Sequence, residues 1–271
     1  MDIRIIYEDE NVLIVEKPAG IIVFSEKDER EKTLIDFLLE KFPFLKKAGL
    51  PPRYGMVHRL DKETSGILLV AKDSKSLEFL QKKFRERNVL KKYLALVVGD
   101  LKPDQGKIET LIGRSPRDGK KQKIFSFTDP EAKRQGVRNA VTEYRVLARL
   151  HRSVAKAMER RRQGFGLRPT KSPSADEVGG QEKFFTFVEA IPKTGRKHQL
   201  RCHFSYLGHP IAGDRLYGFK KQPTPEKLNR YFLHATYLSI ELPDGKIREF
   251  NSYLPEDLKE VLEQLKLESK K

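Results

Sequence analysis

The sequence predicts an α+β fold built around a mixed, largely antiparallel sheet that is flanked by helices. Short apolar runs typical of strands outnumber the helical patterns, and the two kinds follow one another in irregular order rather than in alternation. The chain has 271 residues, a length that can bury one large core or two small ones. Because neither an internal repeat nor a convincing linker divides it, we expect a single domain over residues 1–271.

The first third of the chain alternates strand and helix patterns. Residues 11–16, with an apolar centre, and the apolar residues 67–71 predict buried strands. Residues 21–24 follow a Pro-Ala-Gly turn and are predicted to return as a second short strand. Helical spacing covers residues 33–42, and a further helix is predicted after Ser74, whose hydroxyl can cap it.

The remainder continues the pattern and ends on a hairpin and a helix. Pro-Asp-Gly at 243–245 separates two alternating runs, which is a hairpin signal. A helix pattern over 196–207 stops at Gly208. The other predicted elements are strands at 93–98, 141–147 and 184–191, the hairpin strands at 237–242 and 247–250, and a terminal helix at 255–267.

The chain carries a large surplus of positive charge. Its formal net charge is +16 and its pI is about 9.7. That surplus is compatible with a nucleic-acid partner and equally with a Lys-rich soluble protein that has no such partner. Residues 114–138 carry eight cations against three carboxylates, and residues 149–183 carry nine against four. The second stretch also mixes Pro, Ser and Gly, so we expect a mobile basic insertion at 149–183.

Cysteine and histidine usage argues against several classes of protein. Cys202 is the single cysteine, which rules out an internal disulfide and a Cys-based metal site. His198 and His203 stand five residues apart and so do not share a helix face, and we expect no metal site. Neither a signal-peptide pattern nor an apolar run of membrane-spanning length is present, so a cytoplasmic protein is expected.

Two polar clusters are candidates for chemistry. His58-Arg59-Leu60-Asp61 lies just before a buried strand, where neighbouring cations favour an ionised carboxylate; the alternative is a salt-bridged turn. Gly66 permits a tight bend after it, and the hydroxyl of Thr64 can bond the loop or a phosphate.

The second cluster, residues 195–201, places cations at the predicted start of a helix. Helix N-termini favour anions, so Arg196 and His198 suggest an anionic partner, against the alternative of a solvated basic face. Tyr93 beside two lysines suggests base stacking, although a strand tyrosine is more often part of a core.

Taken together, these motifs resemble those of the RluA family of pseudouridine synthases, over most of the chain. The resemblance lies in YEDENVLIVEKPAG at 7–20, VHRLDKETSGILLVAK at 57–72, the Lys-x-Tyr-x-Ala element around Tyr93, TGRKHQLR at 194–201, LGHPIAGD at 207–214 and FLHA at 232–235. It implies the pseudouridine synthase fold and isomerisation of uridine to pseudouridine in structured ribosomal or transfer RNA, without a cofactor or a metal.

The resemblance also implies roles for individual residues. Asp61 would be the catalytic aspartate, Arg201 would pair with it and keep it ionised, and Tyr93 would stack on the target uracil. Whether Asp61 acts as nucleophile or as base stays open at this point. The residues expected to contact RNA are His58, Arg59 (beside the opening), Thr64, Arg196, His198, Lys120, Lys121, Arg160, Arg161 and Arg162.

Two further expectations concern RNA binding and the rival functions. The opening strand begins near residue 3, so we expect no S4-like domain before the catalytic domain, and RNA binding would then depend on the basic stretches. We expect a monomer without an obligate protein partner. The rival function is a noncatalytic RNA-binding protein on the same fold, which the intact Asp61, Tyr93 and Arg201 disfavour. A zinc deaminase would need a His/Cys/Cys set that one cysteine cannot supply.

Overall fold

A computed structural model describes residues 3–25, 31–133, 136–152 and 183–269. The described strands are β1 Ile5–Glu8, β2 Val12–Lys17, β3 Ser65–Ala71, β4 Val89–Val98, β5 Gln105–Arg114, β6 Gln122–Phe125, β7 Arg138–Arg152, β8 Lys183–Pro192, β9 Leu233–Glu241 and β10 Ile247–Asn251. The helices are α1 Leu34–Lys41, α2 Ser74–Arg85, α3 Gln199–Tyr206 and α4 Glu256–Ser269, with short 3-10 turns at Pro43–Lys47 and Pro130–Lys133.

All the described strands form one ten-stranded sheet, which confirms the predicted α+β class. The strand order is β1-β2-β3-β9-β4-β8-β7-β5-β6, and β10 pairs with β9 outside this path. Among the pairings of the described strands, only β3 with β9 is parallel, joining Ser65 to His234 and Gly66 to Ala235. The mixed, largely antiparallel sheet predicted from the sequence is therefore confirmed.

The parallel pairing depends on Gly66. Its φ is +117°, a region that residues with a Cβ rarely adopt. A Cβ added there would lie 2.2 Å from the carbonyl oxygen of Ala235. The glycine thus does more than permit a bend: it lets β9 approach β3 at the point where the loop containing Asp61 joins the sheet.

The central strands are buried on both faces, which explains their continuous apolar sequences. Leu13 and Val15 of β2 pack in a core with α1, whereas Val12 and Ile14 pack in another with α2. A strand covered on both faces loses the alternation of a half-exposed strand. Helix α4 covers a third region, where Leu258, Val261 and Leu262 pack with aromatic residues of β8 and with Phe232, which precedes β9.

Two predictions about local structure near α1 and α2 are wrong. Residues 21–24 are largely buried but form no strand, because the carbonyls of Ile22 and Val23 accept the first N–H groups of α1. Helix α2 is capped by Asp73 rather than Ser74: the Asp73 carboxylate accepts hydrogen bonds from the N–H groups of the second and third helical residues, at 2.8 and 2.9 Å.

The predicted insertion at 149–183 is shorter than expected. Strands β7 and β8 pair in antiparallel register to Arg152 and Lys183, and Arg149 already pairs with Thr186. Residues 149–152 therefore belong to the sheet. Residues 153–182, including Arg160, Arg161 and Arg162, lie outside the described residues, so their mobility and RNA contacts stay predictions. Among the helices described, none has the length and apolar character to cross a membrane.

Candidate active site

One cavity of about 550 Å³ gathers most of the predicted site residues. Its walls are the loop before β3, the end of α2, the first half of β4 and the segment leading into α3. The predicted residues that line it are Asp61, Tyr93, Arg201, His58, Arg59, Thr64, Arg196 and His198. The fold thus brings together residues that are up to 143 positions apart in the sequence, from His58 to Arg201.

A buried lysine at the end of β2 forms a hydrogen bond with the loop that carries Asp61. The side chain of Lys17 has no exposed surface, and its Nζ donates to the carbonyls of Pro18 at 2.7 Å and Lys62 at 2.9 Å. The N–H of Gly20 donates to the same Lys62 carbonyl at 2.9 Å. Desolvation lowers the pKa of Lys17 to about 7, although the carboxylates of Glu63 and Asp61 oppose that change.

Arg230 holds the other side of the same loop. Its guanidinium donates to the carbonyl of Glu63 at 2.9 Å and to the hydroxyl of Ser65 at 3.1 Å. It also forms an ion pair with Asp257 of α4 at 2.7 Å. The loop is therefore attached to β2 by Lys17 and to α4 by Arg230, which restricts where the Asp61 side chain can lie.

Arg201 contacts Asp61 but bonds more closely to a second carboxylate. Its Nη1 lies 3.4 Å from Asp61 Oδ2, while Nε and Nη2 donate to Asp214 at 2.7 and 2.9 Å. The Asp214 side chain is fully buried. Burial alone lowers the pKa of Arg201, but the hydrogen bonds to Asp214 and the charge of Asp61 outweigh it and raise that pKa. The predicted pairing with Asp61 therefore operates through a guanidinium that Asp214 fixes.

Three tyrosines surround this charge pair. The rings of Tyr231 and Tyr217 lie 4.4 and 5.0 Å from the Arg201 guanidinium carbon, which are cation–π distances. Tyr93, on β4, is half-buried and lines the cavity. Desolvation and the nearby Asp61 carboxylate both raise the pKa of Tyr93 and of Tyr231, and desolvation also raises that of Tyr217. All three rings can therefore act only as neutral phenols at ordinary pH.

The segment before α3 is not helical, contrary to prediction. His198 has φ of +55°, so the helix starts at Gln199, and Arg196 precedes it. The Gln199 side-chain oxygen accepts from the hydroxyl of Thr194 at 2.7 Å and from the N–H of Arg196 at 3.0 Å. Its amide nitrogen donates to the carbonyl of Val141 at 3.0 Å. Gln199 thus fixes a loop where the sequence pattern indicated a helical turn.

His198 reaches from this loop toward Asp61. Its Nε2 lies 3.8 Å from Asp61 Oδ1, and its Nδ1 lies 2.8 Å from the hydroxyl of Tyr217. Desolvation lowers the pKa of His198 to about 4; Asp61 opposes this and the Arg201 cation reinforces it. His198 is therefore a neutral side chain beside the carboxylate, not a charged ligand for phosphate.

His58 and Thr64, expected to contact RNA, are engaged within the protein. His58 accepts the N–H of Leu69 at 3.1 Å and stacks on Phe84 with 4.8 Å between ring centroids. Desolvation lowers its pKa to about 3, so it supplies no positive charge. Thr64 is 2% exposed and its hydroxyl lies 3.1 Å from that of Tyr231. Both residues support the cavity wall.

The cavity is rimmed almost entirely by positive charge. Among its described lining residues, Asp61 is the single carboxylate, against the cations Arg53, Arg59, Arg85, Arg87, Lys91, Lys193, Arg196, Lys197 and Arg201. The guanidinium carbons of Arg53 and Arg59 lie 5.1 and 5.5 Å from the ring centre of Phe24. Sequence reasoning missed most of this rim because it weighed the two longer basic stretches. Residues 82–92 alone carry six cations against one carboxylate, and the fold shows that several of these side chains line the cavity.

The basic stretch predicted at 114–138 begins in the hairpin of β5 and β6, hereafter the basic hairpin, which adjoins this rim. The turn between β5 and β6 forms a second depression with Lys197, which also lines the cavity. Lys120 lines that depression, and Lys121 follows it on the same turn. The two lysines therefore extend the positive surface outward from the cavity mouth.

The groups weighed as metal ligands are engaged elsewhere. His203 is fully buried and bonds the hydroxyls of Thr110 at 3.0 Å and Thr142 at 2.8 Å. Within the described residues there is no group of three His, Cys, Asp or Glu side chains placed to hold a metal.

Sequence reasoning did not identify Asp214, Tyr217 or Tyr231. Asp214 ends one of the quoted motifs, and the signal that points to it is chemical: a buried arginine needs a carboxylate partner. Its Oδ1 also accepts the N–H groups of Leu216 and Tyr217 at 2.9 and 3.1 Å. Those bonds place Tyr217 beside Arg201, a contact that no spacing rule reveals.

Comparison with known proteins assigns the chain to a family. Residues 11–206 match the family model described as RNA pseudouridylate synthase, and the chain belongs to that family. The resemblance seen in the sequence motifs is thereby confirmed.

Its relatives cover nearly the whole chain. A Bacillus subtilis protein named as an uncharacterized RNA pseudouridine synthase is 34% identical over 98% of this chain and 74% of its own length. Ribosomal large subunit pseudouridine synthase D of Neisseria meningitidis is 33% identical over 99% of this chain, which spans 63% of that relative's length. The solved structure of human RNA pseudouridylate synthase domain containing 4 is 26% identical with a TM-score of 0.65, covering 97% of this chain and 92% of that one.

Proposed function

We propose that this protein isomerises specific uridines to pseudouridine in structured RNA, with Asp61 as the reacting carboxylate. The observation that carries the proposal is the charge arrangement of the cavity, in which Asp61 is the single described carboxylate and every other charged lining residue is cationic. Such a rim attracts a polyanion and orients it through its phosphates. The one negative group at its centre is then available to the sugar and base rather than to a metal.

The cavity suits a single nucleotide taken out of its stack. Its volume of about 550 Å³ falls within the usual range of small-ligand pockets. Removing a base from a stem or stacked loop costs a few kcal/mol, and stacking on an aromatic ring recovers part of that cost. Tyr93 is the tyrosine among the described lining residues and lies close to Asp61, so we assign it to the uracil.

The reaction conserves every atom of the substrate. The N1–C1′ bond breaks, the uracil turns while it stays bound, and a new C5–C1′ bond forms as the proton on C5 is lost and N1 regains one. A carboxylate can serve as nucleophile at the sugar or as base toward a proton. Arg201 and His198 lie 3.4 and 3.8 Å from the Asp61 carboxylate, and stacking on Tyr93 would retain the detached base.

We favour ribosomal RNA of the large subunit as the substrate class. The Neisseria meningitidis relative bears that substrate in its name, and a cation-rich rim extending to Lys120 suits a folded RNA larger than one stem-loop. Transfer RNA is the second candidate. A cytoplasmic location and a monomeric enzyme belong to the same proposal.

The test is to map pseudouridine in large-subunit ribosomal RNA and transfer RNA transcripts after incubation with the purified protein. The wild type is expected to convert specific uridines, and Asp61→Asn to convert none while its RNA affinity stays within several-fold. Asp244→Asn, in the β9–β10 turn outside the cavity, is the matched control and should keep full turnover. Substantial conversion by Asp61→Asn would refute the assignment, and wild-type binding without conversion would favour the noncatalytic alternative.

A further inference from the structure

Tyr217 lies where the basic hairpin meets the groups around Asp61. Its hydroxyl accepts the N–H of Gln122, the first residue of β6, at 2.8 Å. The same hydroxyl lies 2.8 Å from Nδ1 of His198. Its ring lies 5.0 Å from the guanidinium carbon of Arg201. One side chain thus contacts the hairpin and both residues that approach the Asp61 carboxylate.

The direction of these hydrogen bonds follows from the donors present. A backbone N–H can only donate, so the Tyr217 oxygen accepts from Gln122 and retains its own proton for another acceptor. The other group near this hydroxyl is the Cys202 thiol, whose sulfur lies 3.9 Å from the carbonyl of Gln122. A thiol is a weak acceptor, whereas an unprotonated imidazole nitrogen is a good one. The Tyr217 proton therefore points to Nδ1 of His198.

The tautomer of His198 follows in turn. A neutral imidazole carries one proton, and when Nδ1 accepts a hydrogen bond that proton is on Nε2. Nε2 is the nitrogen that lies 3.8 Å from Asp61 Oδ1. The other charged groups around this ring are Arg201, Lys197 and Asp214. Asp61 is thus approached by an N–H from a neutral ring on one oxygen and by Arg201 on the other.

We propose that Tyr217 is a positioning residue, which fixes His198 as the Nε2–H tautomer facing Asp61 and couples that arrangement to the RNA-facing hairpin through Gln122. The proposal rests on the proposed isomerase function. At 3.8 Å the Nε2–H group is too distant for a hydrogen bond, so its dipole faces the carboxylate without neutralising it, which a second cation would do. Displacement of β6 by bound RNA would move the Tyr217 hydroxyl and so change the orientation of His198.

The first test separates turnover from binding. Tyr217→Phe keeps the ring against Arg201 and removes the hydroxyl, so kcat should fall by about tenfold, the worth of one hydrogen bond, while RNA affinity changes by less than about twofold. Tyr144→Phe is the matched control: Tyr144 is buried in another part of the core and does not line the cavity, so kcat should be unchanged. A wild-type kcat for Tyr217→Phe would overturn the proposal.

The second test reads the tautomer directly in the free protein. Nitrogen-15 spectra of histidine-labelled protein, with His198→Gln to identify the signal, should show His198 neutral and protonated at Nε2. Tyr217→Phe should produce a mixture of tautomers. A wild-type His198 protonated at Nδ1 would overturn the proposal. Because this measurement needs neither RNA nor turnover, it stands apart from any failure of the isomerase assignment.

A double-mutant cycle covers the case in which Tyr217→Phe perturbs packing. The Gln of His198→Gln cannot change tautomer, so the Tyr217 hydroxyl has nothing left to fix. Adding Tyr217→Phe to His198→Gln should therefore reduce kcat by no more than about twofold further. If the reduction of kcat in the double variant equals the product of the reductions in the two single variants, Tyr217 does not act through His198, and the proposal is overturned.

Discussion

Lys17→Met isolates the energetic cost of the lysine buried beneath the Asp61 loop. Lys17 has no exposed surface, and its pKa is about 7 in the folded protein against 10.5 for an ordinary lysine. The unfolded chain therefore binds the proton over a range of pH in which the folded chain has released it. Met fills a similar volume without a charge, so the variant removes this pH-dependent cost.

The sign and size of the effect of Lys17 on the free energy of unfolding follow from its two pKa values. A folded pKa about 3.5 pH units below the unfolded one corresponds to about 5 kcal/mol that opposes folding. This cost is fully present below about pH 7 and disappears as the pH rises toward 10.5. Wild type should therefore gain stability relative to Lys17→Met by about 1.4 kcal/mol per pH unit between these limits.

Two lost hydrogen bonds act in the opposite direction. Lys17→Met removes one donor from the Pro18 carbonyl and one from the Lys62 carbonyl, which also accepts the Gly20 N–H. Hydrogen bonds from a charged group contribute about 1.5–3 kcal/mol each, so near pH 7 the two effects nearly cancel. The loosened loop should still reduce turnover, because it carries Asp61.

The assay is urea unfolding of both proteins at one-unit steps from about pH 6 to about pH 9. Titrations shared by the two proteins cancel in the difference, which leaves the contribution of Lys17. Lys46→Met, at an exposed lysine, is the control and should give a difference that varies little with pH. A difference between wild type and Lys17→Met that is flat across this range would refute the reasoning.

Three further variants test other parts of the structure. Arg201→Met leaves a buried carboxylate unpaired and should cost about 3–5 kcal/mol and abolish turnover; wild-type urea stability would contradict this. Gly66→Ala places a Cβ 2.2 Å from a β9 carbonyl oxygen and should lower Tm markedly, since strain at positive φ alone costs about 1–3 kcal/mol; an unchanged Tm would contradict it. Lys120→Ala with Lys121→Ala should reduce the log–log salt slope of RNA binding by about 0.7 for each phosphate that is no longer neutralised and leave kcat at saturating RNA unchanged; an unaltered slope would remove the hairpin from the RNA surface.

The sequence predicts the centre of the fold better than its edges. Strands β2 and β3 are covered on both faces, so their apolar runs are continuous and unambiguous. Residues 21–24 are equally apolar and buried, yet their carbonyls bind the first N–H groups of α1 instead of a neighbouring strand. An apolar run reports burial, whereas the identity of the hydrogen-bond partner is set by tertiary structure.

In the candidate site, too, local sequence patterns identify some residues, whereas others depend on tertiary structure. Asp61 is recognisable because its polar neighbours are adjacent in the sequence, and the motif resemblance adds Tyr93 and Arg201. Lys17, which bonds the Asp61 loop, lies 44 residues before Asp61 in the sequence. Tyr217, which contacts His198 and Arg201, lies 156 residues after it. Their hydrogen bonds depend on where the sheet places β2 and on where Asp214 fixes Arg201, which local patterns do not specify.

The positive rim draws on more of the chain than the two long basic stretches at 114–138 and 149–183. The cavity takes cations from the end of α2, from β4 and from the segment after β8, and residues 82–92 carry six cations against one carboxylate. Burial, together with Arg138 and Arg87, lowers the pKa of Arg196, so like charges crowd this corner before RNA arrives. A phosphate bound there would relieve that repulsion as well as form its own ion pairs. Part of the RNA affinity should therefore reside at the cavity itself, independently of the two stretches that the sequence emphasises.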